Sequence, residues 1–239
     1  MDLLDFFDRE KHAHCIICKR LKEKESFGVI KGNIGICSVC HEHLPIVSVG
    51  TAFERRGDKI RFSSSVFYYA PPIKELIIEY KFKRCTAYAD IFVEYMNTYL
   101  DTLIGENETF DLVIPVPLSE KRFKERGYNQ AELLSEKIAE RFGFEHNTSA
   151  LIRTKSTSRQ SKLPVWRRAK NTENAFLADE CQVDKKSILL IDDVFTTGST
   201  AGACAKVLFD AGASSISVFT IARKRQAGKS REYYDLFTS

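Results

Sequence analysis

The stretch Ser187–Ala222, SILLIDDVFTTGSTAGACAKVLFDAGASSISVFTIA, decides the fold. Its opening, SILLID at Ser187–Asp192, is an apolar run too short for a helix and reads as a strand buried on both faces. After a polar loop, Ala201, Cys204, Leu208 and Ala211 fall on one helical face and Gly212 stops the pattern. Ser215–Ala222, SISVFTIA, is the next strand. Strand, helix, strand in that order requires parallel pairing and a right-handed crossover. The expected architecture is therefore α/β, a parallel sheet flanked by helices on both faces.

Upstream segments fit this frame. Ile60–Tyr69 reads as a strand broken by Pro71-Pro72, and Leu76, Ile77 and Tyr80 lie at helical spacing within Ile73–Phe82. A second helix is expected over Ala87–Leu103. Phe110–Pro117, FDLVIPVP, reads as a buried strand. A polar stretch, LSEKRFKERGYNQ, then leads to a helix over Ala131–Phe142, started by Asn129 and ended by Gly143. A short strand is expected over Ala150–Arg153. Thr154–Asn174 is long, polar and basic, and loops of that length are usually functional or disordered.

The loop Asp192-Asp193-Val194-Phe195-Thr196-Thr197-Gly198-Ser199-Thr200 carries the most specific chemistry. Open α/β sheets bind ligands at the carboxyl ends of their strands. Thr196, Thr197, Gly198, Ser199 and Thr200 supply hydroxyls and backbone N–H groups there, and Gly198 permits a positive φ or a close approach. The following helix points its positive end at the same spot, which suits a dianionic phosphate. Asp192 and Asp193 would repel a phosphate, but they suit a sugar diol or a hydrated Mg²⁺ beside it. A ribose phosphate such as 5-phosphoribosyl-1-diphosphate (PRPP) satisfies both halves. The plainer reading, a βα turn whose hydroxyls cap the helix, leaves the two acids unexplained. There is no GxxxxGK[ST] and no GxGxxG after a strand, so neither a P-loop nor a dinucleotide fold is indicated.

With 239 residues and 44% hydrophobic content the chain can bury a core, and its net charge of +4 is too small to imply nucleic-acid binding by itself. No apolar run reaches the ~18–20 residues that span a bilayer. MDLLDFFDREKHAHC lacks the basic start and apolar stretch of a signal peptide. A cytoplasmic protein with no integral membrane segment is expected. Of the seven cysteines, Cys15-x-x-Cys18 and Cys37-x-x-Cys40 have the spacing of a structural zinc site, a better reading than disulfides in a reducing compartment. Gly28, Gly32 and Gly35 are expected to make the turns between the two knuckles. His12, His14, His41 and His43 read as exposed or supporting imidazoles. Cys85, Cys181 and Cys204 are expected to be buried small apolar residues. The chain divides into a four-cysteine zinc-binding module at 1–50 and the α/β domain at 51–239.

ILLIDDVFTTGST resembles the PRPP-binding signature of type I phosphoribosyltransferases. YKFK at Tyr80–Lys83, IPVPLSEKRFKERGYNQAELL at Ile114–Leu134 and RQSKLPVWRRAKNTENAF at Arg159–Phe176 resemble the ComF group. These are phosphoribosyltransferase-like proteins of natural competence that carry a Cys-rich N-terminal module. The resemblance covers nearly the whole chain. It implies a type I phosphoribosyltransferase-like sheet and a second, diphosphate-binding loop at Pro115–Arg126. Arg122 and Arg126 match the ComF pattern there, while Lys121 and Lys124 read equally as a solvated face. Lys81, on the helix over Ile73–Phe82, also falls on a ComF-like position, where a lone helical lysine would ordinarily read as surface. It also implies a flexible hood over the site, for which Thr154–Asn174 is the match, with Arg159, Gln160, Arg167 and Arg168.

Three functions are to be weighed, the first of them implied by the resemblance. One is a PRPP-binding ComF-type protein that assists DNA uptake and handles imported single-stranded DNA, together with other uptake proteins; Phe123, Tyr128 and Trp166 among the basic residues suit that role and read equally as a packed lid. The second is a Mg²⁺-dependent phosphoribosyltransferase that transfers ribose 5-phosphate to an acceptor. The third is a non-catalytic zinc-ribbon interaction protein whose ligand loop is vestigial.

Overall fold

The computed structural model describes residues 11–48, 54–56, 60–105, 108–154 and 175–225. The N-terminal module is a four-stranded sheet of β1 (His12–Cys15), β2 (Leu21–Glu23), β3 (Phe27–Lys31) and β4 (Ile34–Cys37), in the order β2-β1-β4-β3. A short helix, α1 (Ser38–Glu42), follows. Gly32 makes a turn with φ +61, as the spacing suggested. Gly28 and Gly35 do not; they lie within β3 and β4. Gly35 is required for a different reason, because a Cβ there would collide with the Val29 carbonyl.

Among the described residues the main sheet has six strands, in the order β5-β6-β12-β11-β7-β8. β5 (Glu54–Arg56) is antiparallel to β6 (Ile60–Tyr68). From β6 inward, every pairing among β6, β7 (Leu112–Pro115), β8 (Glu145–His146), β11 (Ser187–Phe195) and β12 (Ser215–Arg223) is parallel. The helices are α2 (Ile73–Phe82), α3 (Tyr88–Gly105), α4 (Glu120–Arg126), α5 (Gln130–Phe142), the short α6 (Glu180–Val183) and α7 (Ser199–Asp210). A two-stranded hairpin of β9 (Leu151–Arg153) and β10 (Phe176–Ala178) completes the chain. The expected α/β architecture, with a parallel sheet and a preceding cysteine-rich module, is what the chain adopts.

β11 shows why the central strands carry no polar face. Leu189 and Ile191 point into the core filled by α2, α3 and α5. Ile188 and Leu190 point into the core filled by α7 and the hairpin. Both sides of the pleat are dry, so a continuous apolar run is needed. The module shares the first of these cores. Ile16, Ile36, Leu44 and Val47 belong to one apolar cluster with Phe67, Ile73, Ile77 and Met96. Val47 N–H donates to the Val66 carbonyl at 2.8 Å and Tyr68 N–H to that of Pro45 at 2.7 Å, stitching the end of the module to β6.

Two cysteine expectations fail. Cys204 is buried in α7 as expected. Cys181 is exposed at the first turn of α6 and Cys85 is only half-buried, its thiol 3.8 Å from the Lys83 carbonyl. A cysteine outside any apolar period has no sequence signal for burial, and burial statistics alone misassigned it. The polar stretch before α5 also holds a helix of its own, α4, capped by the Ser119 hydroxyl and closed by Gly127 at φ +83. Of the segment expected to form a hood, 154–174, only Thr154 is described; Arg159, Gln160, Trp166, Arg167 and Arg168 lie outside the described residues.

Candidate functional site

The site forms where parallel strands end. β6 runs out into α2, β7 into α4 and β11 into α7, so all three loops open on the same edge of the sheet. β11 delivers the two acids at its end. Backbone alternation then separates them: Asp193 faces α2 and α4, whereas Asp192 faces the α7 side.

Asp193 is nearly inaccessible and is held by two cations. Lys81 Nζ, from the last turn of α2, lies 2.7 Å from Asp193 Oδ1. Arg126, from the last turn of α4, places Nη1 3.9 Å from Asp193 Oδ2 and donates to Gln130 Oε1 at 2.6 Å. Arg126 is itself 7% exposed, and its Nε has no hydrogen-bond partner. Its guanidinium stacks 5.1 Å from the Phe82 ring centroid. The neighbouring turn is fixed from below. Tyr80 donates to the Gln130 carbonyl at 2.9 Å, Tyr128 donates to the Tyr80 carbonyl, and Asn129 caps α5 through Ala131 N–H at 3.1 Å while donating to the Val116 carbonyl at 3.2 Å. Lys81 and Arg126 are therefore positioned by packed elements on both sides.

Asp192 lines a small cavity together with Thr196, Gly198, Thr200 and Thr220. Its Oδ1 accepts the Asp193 N–H at 2.8 Å. Burial pushes the Asp192 carboxyl up to about 7 from its usual 3.8, and the adjacent Asp193 charge adds to the rise. Lys81 and Arg122 oppose it, which places Arg122 of α4 within electrostatic reach of the same acid. A carboxyl pushed that high at the mouth of a hydroxyl-lined cavity is suited to a hydroxyl or a cation.

The loop beyond it is built for close approach. Gly198 has φ +80 and a Cβ there would stand 2.7 Å from Phe195 Cζ, so only glycine fits. Gly198 is the cap of α7 and carries no side chain to satisfy the helix's first N–H groups. Thr197 partly does so: its Oγ1 accepts from Ser199 N–H at 3.3 Å and lies 2.6 Å from Ser199 Oγ. Thr196, Thr197, Ser199 and Thr200 are exposed, and Thr196 and Thr200 line the cavity beside Asp192. The structure thus gathers Lys81, Arg122, Arg126, Asp192, Asp193 and the 196–200 loop at one edge. Lys121 and Lys124 stay on the outer face of α4, paired with Glu125 at 3.9 Å and Glu120 at 3.1 Å. Gln130, which supports Arg126, carried no sequence signal beyond its place at the start of α5.

The second site is the cysteine cluster. The sulfurs of Cys15, Cys18, Cys37 and Cys40 all lie within 4.8 Å of one another, the one such cluster among the described residues. A tetrahedral ion with metal–sulfur bonds of about 2.3 Å needs sulfurs about 3.8 Å apart, so the four thiols fit one divalent ion with no ligand position left open. The knuckle backbone is already wound for it: Lys19 N–H donates to the Cys15 carbonyl at 2.9 Å and Ile16 N–H to that of Gly35 at 2.8 Å. None of the nearby histidines belongs to that cluster. His41 Nδ1 instead pairs with Tyr95 of α3 at 2.7 Å, and the two rings stack at 5.6 Å. Lys19 reaches α2, where Glu79 accepts from it at 3.0 Å, from Lys83 at 3.0 Å and from Tyr88 at 2.9 Å.

No protein-family profile matches the chain. Curated relatives do. DNA utilization protein YhgH of Shigella flexneri is 31% identical over 215 residues, covering 80% of this chain and 92% of that protein. Competence protein ComFC of Bacillus subtilis is 34% identical over 174 residues, covering 69% and 65%. Competence protein F of Haemophilus influenzae is 36% identical over 115 residues, covering 47% and 50%. Among solved structures, an adenine phosphoribosyltransferase aligns with a TM-score of 0.40 at 12% identity over 61% of this chain and 74% of that one. At near full-length coverage of the first relative, the identity settles the matter of kinship: the chain belongs to the ComF family of DNA-utilization and competence proteins.

Proposed function

We propose that this protein binds PRPP together with Mg²⁺ at the edge formed by β11, α7, α2 and α4, and that it serves DNA uptake by assisting the handling of imported single strands. The observation that carries the ligand reading is the two-sided edge. A hydroxyl and amide cradle at the start of α7 faces one way, and Lys81, Arg122 and Arg126 supply positive charge on the other side of Asp192 and Asp193. In this reading the 5-phosphate sits on Thr196–Thr200 at the helix N-terminus. Asp192, once ionised, accepts from the ribose hydroxyls. Lys81 exchanges Asp193 for the diphosphate. Mg²⁺, when bound, would neutralise the diphosphate's charge. The role in DNA uptake rests on the family, whose members are named for DNA utilization and competence.

The cysteine cluster is assigned to structural zinc. Its donors are all thiols, it is closed, and it sits on the outside of a shared core rather than at the ligand edge. The test of the ligand reading is calorimetric titration with PRPP and Mg²⁺. Saturable binding that disappears in the Asp192→Ala, Asp193→Ala double variant is expected. Absence of heat with the intact protein removes the ligand. A parallel assay for diphosphate release across bases and amines decides between a binding module and a phosphoribosyltransferase.

A further inference from the structure

We infer that the corner where α2 meets α4 is a docking surface for single-stranded DNA, with Phe82 and Phe123 as base-stacking platforms and Arg84 among its phosphate contacts. The inference rests on the DNA-handling part of the function proposed above and supplies its location. Phe82 is 60% exposed and Phe123 49% exposed, the largest apolar exposures on the ligand-edge helices. A single exposed apolar side chain is ordinary on a protein surface, so exposure alone says little. Phe82 is not loose. One face of its ring lies against the Arg126 guanidinium at 5.1 Å, and that guanidinium is fixed by Gln130 and Asp193. A ring clamped on one face with much of its surface in water is prearranged for an aromatic partner on the other.

The charge around it leans positive. Lys81–Arg84 and Glu120–Arg126 hold seven basic residues, of which Lys81 and Arg126 face Asp193, Lys83 pairs with Glu79, and Lys121 and Lys124 pair with Glu125 and Glu120. Exposed Arg84 and Arg122 are the cations left over at this corner among the described residues. Arg84 has no ion pair among the described residues. It is exposed at φ +55, with its guanidinium 3.5 Å from where a Gly127 Cβ would stand, at the turn that closes α4. Phe123 lies one helical turn before that glycine, whose N–H donates to the Phe123 carbonyl at 2.7 Å. Interleaved cations and open aromatic faces are what a flexible strand needs, since phosphates meet charge while unstacked bases find π-surfaces. A duplex, whose bases are already stacked, would use only the charges. Tyr128 takes no part: its hydroxyl is committed to the Tyr80 carbonyl and its ring to Tyr80.

Fluorescence anisotropy of a labelled 20-nucleotide poly(dT), titrated with the full chain, tests this. Removing an aromatic platform should weaken binding roughly tenfold per ring, given stacking on the order of 1–3 kcal/mol per base. Phe123→Ala should therefore lose about tenfold. Phe82→Leu, which keeps bulk over Arg126 but removes the π-face, should lose a similar factor, and Phe82→Trp should restore it. Arg84→Ala should flatten the salt dependence by about 0.7 in log–log slope. Calorimetry with PRPP and Mg²⁺ on Phe123→Ala and Arg84→Ala separates this surface from the ligand site, because both should bind PRPP as the parent does. Loss of strand binding with PRPP binding intact supports the surface. Strand binding that depends on both rings in a protein giving no PRPP heat supports it too and leaves only the ligand reading overturned. The inference falls if the parent fails to bind poly(dT) at low salt. It also falls if the Phe123→Ala, Phe82→Leu double variant binds like the parent, or if poly(rU) or polyglutamate of matched length binds more tightly with the same ring dependence.

Discussion

Lys81 Nζ stands 2.7 Å from Asp193 Oδ1, joining the last turn of α2 to the end of β11. Both side chains are largely shielded from water, so the pair is a joint as well as a source of charge. Lys81→Ala would leave Asp193 with only Arg126 at 3.9 Å. A shielded carboxylate stripped of its nearest cation costs about 1–3 kcal/mol. Chemical denaturation should register that loss, and PRPP affinity should fall by at least about tenfold. Lys81→Arg should keep the stability better than the affinity, since the planar fork does not reproduce a point charge.

Asp192 makes a pH-dependent signature. Burial and the Asp193 charge hold its carboxyl up to about 7 in the folded chain against 3.8 ordinarily. The folded state therefore keeps a proton that the unfolded state releases above 3.8. The resulting stability is fully present below that value and is lost as pH rises through about 7. Asp192→Asn should raise the melting temperature at pH 8, with a gain that shrinks as pH falls toward 4, while abolishing PRPP binding. In the parent, PRPP affinity should weaken as pH drops through about 7. A variant with no pH-dependent gain in stability would contradict the assignment.

Gly198→Ala is expected to be silent in neither respect. The residue sits at φ +80 with the Phe195 ring where a side chain would go. Strain in that region costs of order 1–3 kcal/mol, and the displaced loop should lose PRPP binding altogether. Thermal unfolding and calorimetry of the same preparation check both.

The cysteine cluster predicts one equivalent of zinc per chain by elemental analysis. Chelation in a Cys181→Ser background, which removes the exposed thiol, should make four thiols newly reactive to a chromogenic reagent. Because Ile16, Ile36, Leu44 and Val47 pack in the same cluster as Ile73 and Met96, chelation should also lower the melting temperature of the whole protein. Loss of zinc without a fall in melting temperature would refute that linkage.

How much of this was legible beforehand depends on what each residue answers to. β11 and α7 were readable because both faces of the strand and one face of the helix are dry, which writes a periodicity into the sequence. The cysteine spacing was readable because a metal fixes it. α4 was not: its seven residues EKRFKER have no apolar stripe, and only the Ser119 cap and Gly127 marked its ends. The division of labour between Asp192 and Asp193 was also hidden. The sequence shows two adjacent acids; alternation along the strand sends one to Lys81 and the other to the hydroxyl-lined cavity. The partners from α2 and α4 are more than sixty residues away in the chain and leave no local trace.

Lys19 follows Cys18 directly, and its ammonium reaches Glu79, two positions before Lys81. Glu79 also accepts from Lys83 and Tyr88, and Ile73, Ile77 and Tyr80 root the same helix in the interior. The cysteine knuckle thus leans on that helix through a single water-washed strut, and what disturbs the sulfurs reaches the lysine only weakly along it.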